Sequence, residues 1–131
     1  MRILLADDQT QVRTALQILL KHQIDMQVVG EASEAQILLS QIEQTKPDLV
    51  LLDWNLPDLS AIGSVSGLRR YHPDLLIVVL SGRPEFRRQA LAAKADAFVS
   101  KIDQPEHLLA ALHVMRERLK QSNGSHPELN E

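Results

Sequence analysis

The chain has 131 residues, 44% of them hydrophobic and 24% charged, with a formal net charge of −3. That length predicts one domain able to bury a core without staples, and the mildly acidic balance argues against a dedicated nucleic-acid surface. The absence of cysteine excludes a disulfide framework and a thiolate metal site. Met1 to Leu5 runs into Asp7-Asp8 too soon for a secretion signal. No apolar run approaches the roughly 20 residues that cross a bilayer. Cytoplasmic residence without a membrane partner is the expectation.

In chain order, Arg2 to Ala6 reads as a short apolar strand that stops at Asp7-Asp8. Val12, Ala15, Leu16, Leu19 and Leu20 recur at helical spacing, predicting a helix over about Thr10 to His22. Met26 to Gly30 is a second strand. Ala35, Leu38, Leu39 and Ile42 mark a second helix, which closes before Lys46-Pro47. Leu49-Val50-Leu51-Leu52 is an unbroken apolar run of the kind found in buried parallel strands, and Asp53 stands where it stops. Pro57 removes a backbone donor and ends any ladder. A loop follows, then a helix through Leu68, Arg69 and Arg70 that ends near His72-Pro73. Leu75 to Leu80 is a fourth strand, stopping at Ser81-Gly82. Arg83-Pro84-Glu85 suits a helix start, with Pro in the first turn, and that helix runs to about Ala93. Ala97 to Ser100 is the fifth strand, followed at once by Lys101. Pro105 to Lys120 forms the last helix, with Leu108, Leu109, Leu112 and Met115 on its inner face. Residues 121–131 are polar and read as a tail or the start of a linker, leaving 1–120 as the domain.

Five strands alternating with helices imply an α/β fold, a doubly wound five-stranded parallel sheet with helices on both faces. In such sheets the carboxyl ends of the strands face the ligand crevice. Asp7-Asp8, Asp53, Ser81-Gly82 and Lys101 would then share one edge. Three carboxylates without a thiol or paired histidine suit a hard, oxygen-loving cation such as Mg²⁺. A carboxylate facing that cation is a plausible nucleophile towards phosphorus, with the Ser81 hydroxyl and Lys101 ammonium as phosphoryl donors. Gly82 leaves room beside the backbone. Taken singly, each residue has a plainer use. Asp53 could open a loop, Asp7 could cap the first helix, Phe98 could be a core aromatic, and Lys101 a surface lysine. Arg83, Arg87 and Arg88 read as a solvated face, and the five histidines as surface residues without ligand spacing.

From about Arg2 to Lys120 the chain resembles the receiver domain of two-component response regulators, a flavodoxin-like (βα)₅ fold. The resemblance rests on Leu4-Leu5-Ala6-Asp7-Asp8, on Leu51-Leu52-Asp53-Trp54-Asn55-Leu56-Pro57, on Val79-Leu80-Ser81-Gly82, and on Ala95-Asp96-Ala97-Phe98-Val99-Ser100-Lys101. It implies that Asp53 accepts a phosphoryl group from a sensor histidine kinase. It implies Asp8 and Asp53 as direct Mg²⁺ ligands, the Asn55 backbone carbonyl as another, and Asp7 acting mainly through water. Ser81, Gly82 and Lys101 would receive the phosphoryl group, and Phe98 would be the aromatic switch that follows Ser81 inward. The fourth helix, fifth strand and fifth helix would form the output or homodimer face. More loosely, Val28 to Ala32 and the Arg13 region resemble regulators with a C-terminal helix-turn-helix domain. DNA would be reached only through such an output domain, which lies outside these residues.

Three departures from the family pattern are visible. Ala61 stands where glycine is usual, so a left-handed turn there would be strained or rebuilt. Lys94 replaces the glycine that ends the fourth helix, making a left-handed cap costly. Ile102 replaces the proline after the lysine, so a trans bond is expected. Competing functions fit less well. An aspartyl phosphohydrolase would place a second Asp at position 55, where this chain has Asn55. A flavodoxin-like cofactor binder would need a glycine-rich phosphate loop where this chain has Asp7-Asp8-Gln9. A pseudo-receiver acting by docking alone would not need the full set Asp7, Asp8, Asp53, Ser81 and Lys101.

Overall fold

The computed structural model describes residues 1–124. Five parallel strands lie in the order β2-β1-β3-β4-β5. They are β1 (Arg2–Ala6), β2 (Gln27–Ala32), β3 (Leu49–Asp53), β4 (Leu76–Ser81) and β5 (Ala97–Ser100). Between and after them run α1 (Thr10–Lys21), α2 (Ala35–Thr45), α3 (Ser64–Tyr71), α4 (Arg87–Ala92) and α5 (Pro105–Gly124). The expected doubly wound α/β sheet is the one observed.

Alternation along the strands builds two cores, because successive side chains point to opposite faces. Leu4, Val50, Leu52, Ile77 and Val79 face α2, α3 and α4, meeting Leu38, Ile42, Val65, Leu68 and Ala90. Ile3, Leu5, Leu49, Leu51 and Val78 face α1 and α5, meeting Leu16, Leu20, Leu108, Leu112 and Met115. Every residue of β3 and β4 is buried. Their apolar side chains each contribute about 1.5–3 kcal/mol when fully removed from water. The sheet order reverses between β1 and β3, the adjacent strands whose carboxyl ends carry the acids.

Several boundaries differ from the sequence reading. β4 begins one residue later and includes Ser81, which pairs with Ser100 of β5. The expected helix from Arg83 opens as a 3₁₀ turn, Pro84–Phe86, before the short α4. α5 continues four residues past Lys120 to Gly124. The remainder of the polar tail, 125–131, lies outside the described residues. The loop after Pro57 is rebuilt rather than strained at Ala61. A 3₁₀ turn spans Leu59–Ile62, and the left-handed conformation falls on its flanks, at Asp58 (φ 63°), Gly63 (φ 87°) and Ser64 (φ 59°). At Gly67 a Cβ would lie 2.0 Å from the Ile62 carbonyl oxygen, so only glycine lets the turn and α3 close. The Ile102 peptide is trans, as expected.

At the edge opposite the strand carboxyl ends, Arg69 of α3 donates to the carbonyls of Lys94, His72, Pro73 and Leu75. It also meets Asp96 Oδ2 at 2.6 Å, and that oxygen accepts the Ile77 N–H. Asp96 Oδ1 takes Arg118 of α5 at 2.8 Å. One half-buried carboxylate thus joins α3, β4 and α5, while the Arg69 guanidinium satisfies carbonyls that helix and strand ends would leave open.

Lys94 adopts φ 78°, the left-handed cap the sequence made costly, and its N–H bonds the Leu91 carbonyl. A left-handed non-glycine residue costs roughly 1–2 kcal/mol, of which glycine's extra unfolded-state entropy returns about half. Lys94→Gly should therefore raise unfolding stability by roughly 0.5–1 kcal/mol in urea denaturation. An unchanged or lower midpoint would mean that the cap is unstrained.

Candidate functional site

The carboxyl ends of β1, β3 and β5 bring four charged groups together. Asp7 and Asp53 are buried and Asp8 is exposed, and one carboxylate oxygen from each lies within 4.8 Å of the others. Lys101 follows β5 and places Nζ 2.6 Å from Asp7 Oδ2 and 3.4 Å from Asp53 Oδ2. One ammonium therefore serves two buried carboxylates.

Each acid is held by its own strand end. The Asp7 N–H bonds the Ala32 carbonyl at 2.9 Å, continuing the β1–β2 ladder. Asp7 Oδ1 accepts the Gln9 N–H at 2.8 Å, a tight local turn. The N-cap of α1 is Gln9, without a side-chain cap, so Asp7 is not spent on capping the helix. Asp53 Oδ1 accepts the Asn55 N–H at 3.0 Å in the same kind of turn. The Trp54 N–H bonds the Leu80 carbonyl, tying the acidic loop to β4.

The remaining expected residues surround this cluster. Ser81 is buried at the end of β4, and its Oγ accepts the Arg83 N–H at 3.1 Å, which leaves the hydroxyl proton available. The Ser81 carbonyl accepts the Lys101 N–H at 2.8 Å, fixing the base of the lysine. Nothing lies within 4 Å of where a Gly82 Cβ would stand, so the space beside that backbone is open. Asn55 and Arg83 are exposed. Phe98 is 5% exposed and packs with the core that faces α2, α3 and α4. Arg87 of α4 lies over its ring, 5.2 Å from the centroid. His22 and His107 are exposed, His72 and His113 half-buried, and His126 lies outside the described residues.

Two features escaped the sequence reading. Trp54 stacks on Phe86 with ring centroids 5.9 Å apart, joining the β3 and β4 loops, and Arg83 lies over the same phenyl ring. Arg13 of α1 donates to the Asp7 carbonyl at 2.6 Å. Both are contacts across the fold, and single-residue periodicity carries no trace of them.

Burial in low dielectric raises the pKa of Asp53 above its ordinary value of 3.8. The Asn55 N–H bond opposes the rise, the negative charge of Asp7 adds to it, and Lys101 opposes it. The arrangement also suits a cation. All donors are oxygen, and Asp7 Oδ2 is buried with no hydrogen-bond donor aligned on it among the described residues. Its neighbour there is the Lys101 ammonium alone, which leaves two buried acids sharing one positive charge.

Comparison with known proteins gives a consistent result. The family described as the response regulator receiver domain matches residues 3–113. The uncharacterized transcriptional regulatory protein YhcZ of Bacillus subtilis is 35% identical over 131 residues, covering 98% of this chain and 61% of that protein. The nitrate/nitrite response regulator protein NarL of Escherichia coli is 38% identical over 113 residues, covering 85% of this chain and 52% of that protein. The chain thus spans little more than half the length of these relatives. A LuxR-family two-component response regulator from Aurantimonas superposes with a TM-score of 0.79 at 28% identity, over 87% of this chain and 83% of that one. RcsB from Salmonella enterica, solved on promoter rprA with BeF₃⁻, gives a TM-score of 0.82 over 89% of this chain and 60% of that one. Its 24% identity shows the shared fold.

Because the folded pKa of Asp53 is raised, its protonated form is the one folding favours. The group's contribution to stability is fully present in acid and is lost as pH rises through the raised value. Ionised Asp53 therefore works against folding at neutral pH. Asp53→Asn should melt higher than the parent at pH 7 without added metal, and the gap should narrow as pH falls towards the ordinary carboxylate range. A gap that widens in acid would reverse the sign.

Proposed function

The chain belongs to the response regulator receiver domain family of two-component signalling, and we propose that Asp53 is its phosphoryl acceptor in a Mg²⁺-dependent reaction. The observation that carries this reading is the convergence of Asp7, Asp8 and Asp53 on one sheet edge beside a single lysine. Such a cluster is electrostatically incomplete without a further cation.

In this reading Asp8 and Asp53 would hold the metal with the Asn55 backbone carbonyl, and Asp7 would act through water. Bound Mg²⁺ supplies positive charge that neutralises the acids and screens the incoming phosphoryl oxygens. An Asp53 carboxylate oxygen attacks phosphorus in line with the P–N bond of a phosphohistidine on the sensor kinase. The new P–O bond forms as the P–N bond breaks, and its electron pair returns to the imidazole nitrogen. Lys101 leaves Asp53 for a phosphoryl oxygen, and the Ser81 hydroxyl donates its free proton to another. Gly82 leaves the space in which that group stands. The domain catalyses only this transfer and the later hydrolysis of its own acyl phosphate, with no outside substrate to turn over.

Output follows from a shift in a pre-existing equilibrium. Arg87 over Phe98 links α4 to β5, so movement at Ser81 reaches the face formed by α4, β5 and α5. That face would bind a target or a second copy of the chain. We place the receiver body at residues 1–120 and read 121–131 as the beginning of a connection. An output domain like those of the longer relatives would supply any DNA binding. No helix among the described residues is long and apolar enough to cross a membrane.

Incubation with acetyl phosphate and Mg²⁺ should add one phosphoryl group by intact mass. Omission of Mg²⁺ or the change Asp53→Asn should abolish it. No gain in the parent protein would sink the acceptor role and favour a domain that acts by docking alone.

A further inference from the structure

Arg13 uses all three nitrogens of its guanidinium. Nε lies 2.7 Å from Glu31 Oε1 on β2, Nη1 donates to the Asp7 carbonyl at 2.6 Å, and Nη2 reaches Thr10 Oγ1 at 3.5 Å. Glu31 is itself held through Oε2, which accepts Gln17 Nε2 at 2.5 Å. The Arg13 side chain is only 16% exposed. The Glu31 pair alone would tie α1 to β2, so the bond to Asp7 calls for a separate reason.

An arginine beside a carboxylate cluster ordinarily pairs with a carboxylate. Lys101 does so with two. Arg13 instead takes the backbone oxygen of the peptide that joins Asp7 to Asp8. That contact occupies no carboxylate oxygen. It fixes the rotation of the peptide plane that separates the two acids, and the Asp7 N–H bond to Ala32 fixes the preceding one. The guanidinium fork holds two acceptors at once, which a lysine ammonium on a flexible stem does not reproduce.

We propose that Arg13, anchored by Glu31, is a positioning residue for divalent-cation binding, setting the Asp7–Asp8 peptide plane and with it the placement of both carboxylates. The inference rests on the metal reading given above. It goes further by assigning part of the site's cation affinity to a residue that touches neither metal nor phosphoryl group.

Charge and geometry make opposite forecasts for this residue. Removing a nearby positive charge should tighten Mg²⁺ binding by Coulomb's law, whereas releasing the peptide plane should weaken it. The test is a Mg²⁺ titration of the whole chain followed by Trp54 fluorescence. It would use the parent, Arg13→Lys, Arg13→Gln and Glu31→Gln, with a thermal melt of each in the absence of metal. Loss of an outer partner commonly costs 10–100-fold in metal affinity, and one acting through a backbone carbonyl should cost on the order of three- to tenfold. Arg13→Lys and Arg13→Gln should both weaken binding by that amount, with Glu31→Gln following in the same direction while retaining the arginine. Tighter binding in Arg13→Gln with no change in Arg13→Lys would reduce Arg13 to a bare charge and overturn the proposal. Unchanged affinities with lowered melting temperatures would overturn it too, leaving only a helix tie. A parent that shows no saturable binding sensitive to Asp8→Asn would instead remove the metal reading itself, and the proposal with it.

Discussion

One ammonium set between two buried carboxylates is the interaction on which this site depends. Lys101 Nζ meets Asp7 at 2.6 Å and Asp53 at 3.4 Å, with Asp8 completing the cluster from the surface. Unpaired buried charge is expensive, and a single lysine cannot discharge three acids. The chain therefore carries a local excess of negative charge, and burial first, then the charge of Asp7, pushes the pKa of Asp53 up. A divalent cation and then a phosphoryl group would complete the set, and the phosphoryl group would give Lys101 a new partner. The same imbalance that works against folding equips the site for chemistry.

Topology produces this concentration of charge. Parallel strands put all their carboxyl ends on one edge, and the reversal of order between β1 and β3 leaves a crevice there. β3 and β4 are buried on both faces, so Asp53 and Ser81 stand at the ends of the most completely buried strands. At the far edge, Arg69 and Asp96 pin α3, β4 and α5. Between these edges Gly82 has open space where a Cβ would stand, and Trp54 stacks on Phe86 across the β3 and β4 loops.

The sheet was legible because its strands are nearly pure apolar runs. Leu49 to Leu52 and Leu76 to Leu80 admit little but buried parallel strands, and the acids and Ser81 mark their ends. Asp7, Asp8, Asp53 and Lys101 were found by that punctuation, and the structure brings them together. Geometry without local periodicity was not legible. Arg13 and Asp7 are six residues apart, and Arg69 and Asp96 are 27 apart. Such pairs become visible only once elements pack. Loop chemistry was half legible. The missing glycine at Ala61 announced a strained or rebuilt turn, but not that Asp58, Gly63 and Ser64 would be left-handed or that Gly67 would be needed beside them. Phe98 was marked by its family position, while the core it packs against, facing α2, α3 and α4, became visible only in the fold.

The central claim is that Asp53, and neither Asp7 nor Asp8, is the nucleophile. Borohydride reduction of the phosphorylated protein converts an acyl phosphate to an alcohol at the residue that carried it, and peptide mass spectrometry locates that residue. Reduction confined to position 53 is the predicted result. Reduction at position 7 or 8, or a phosphoryl group that survives borohydride on a histidine, would contradict the account.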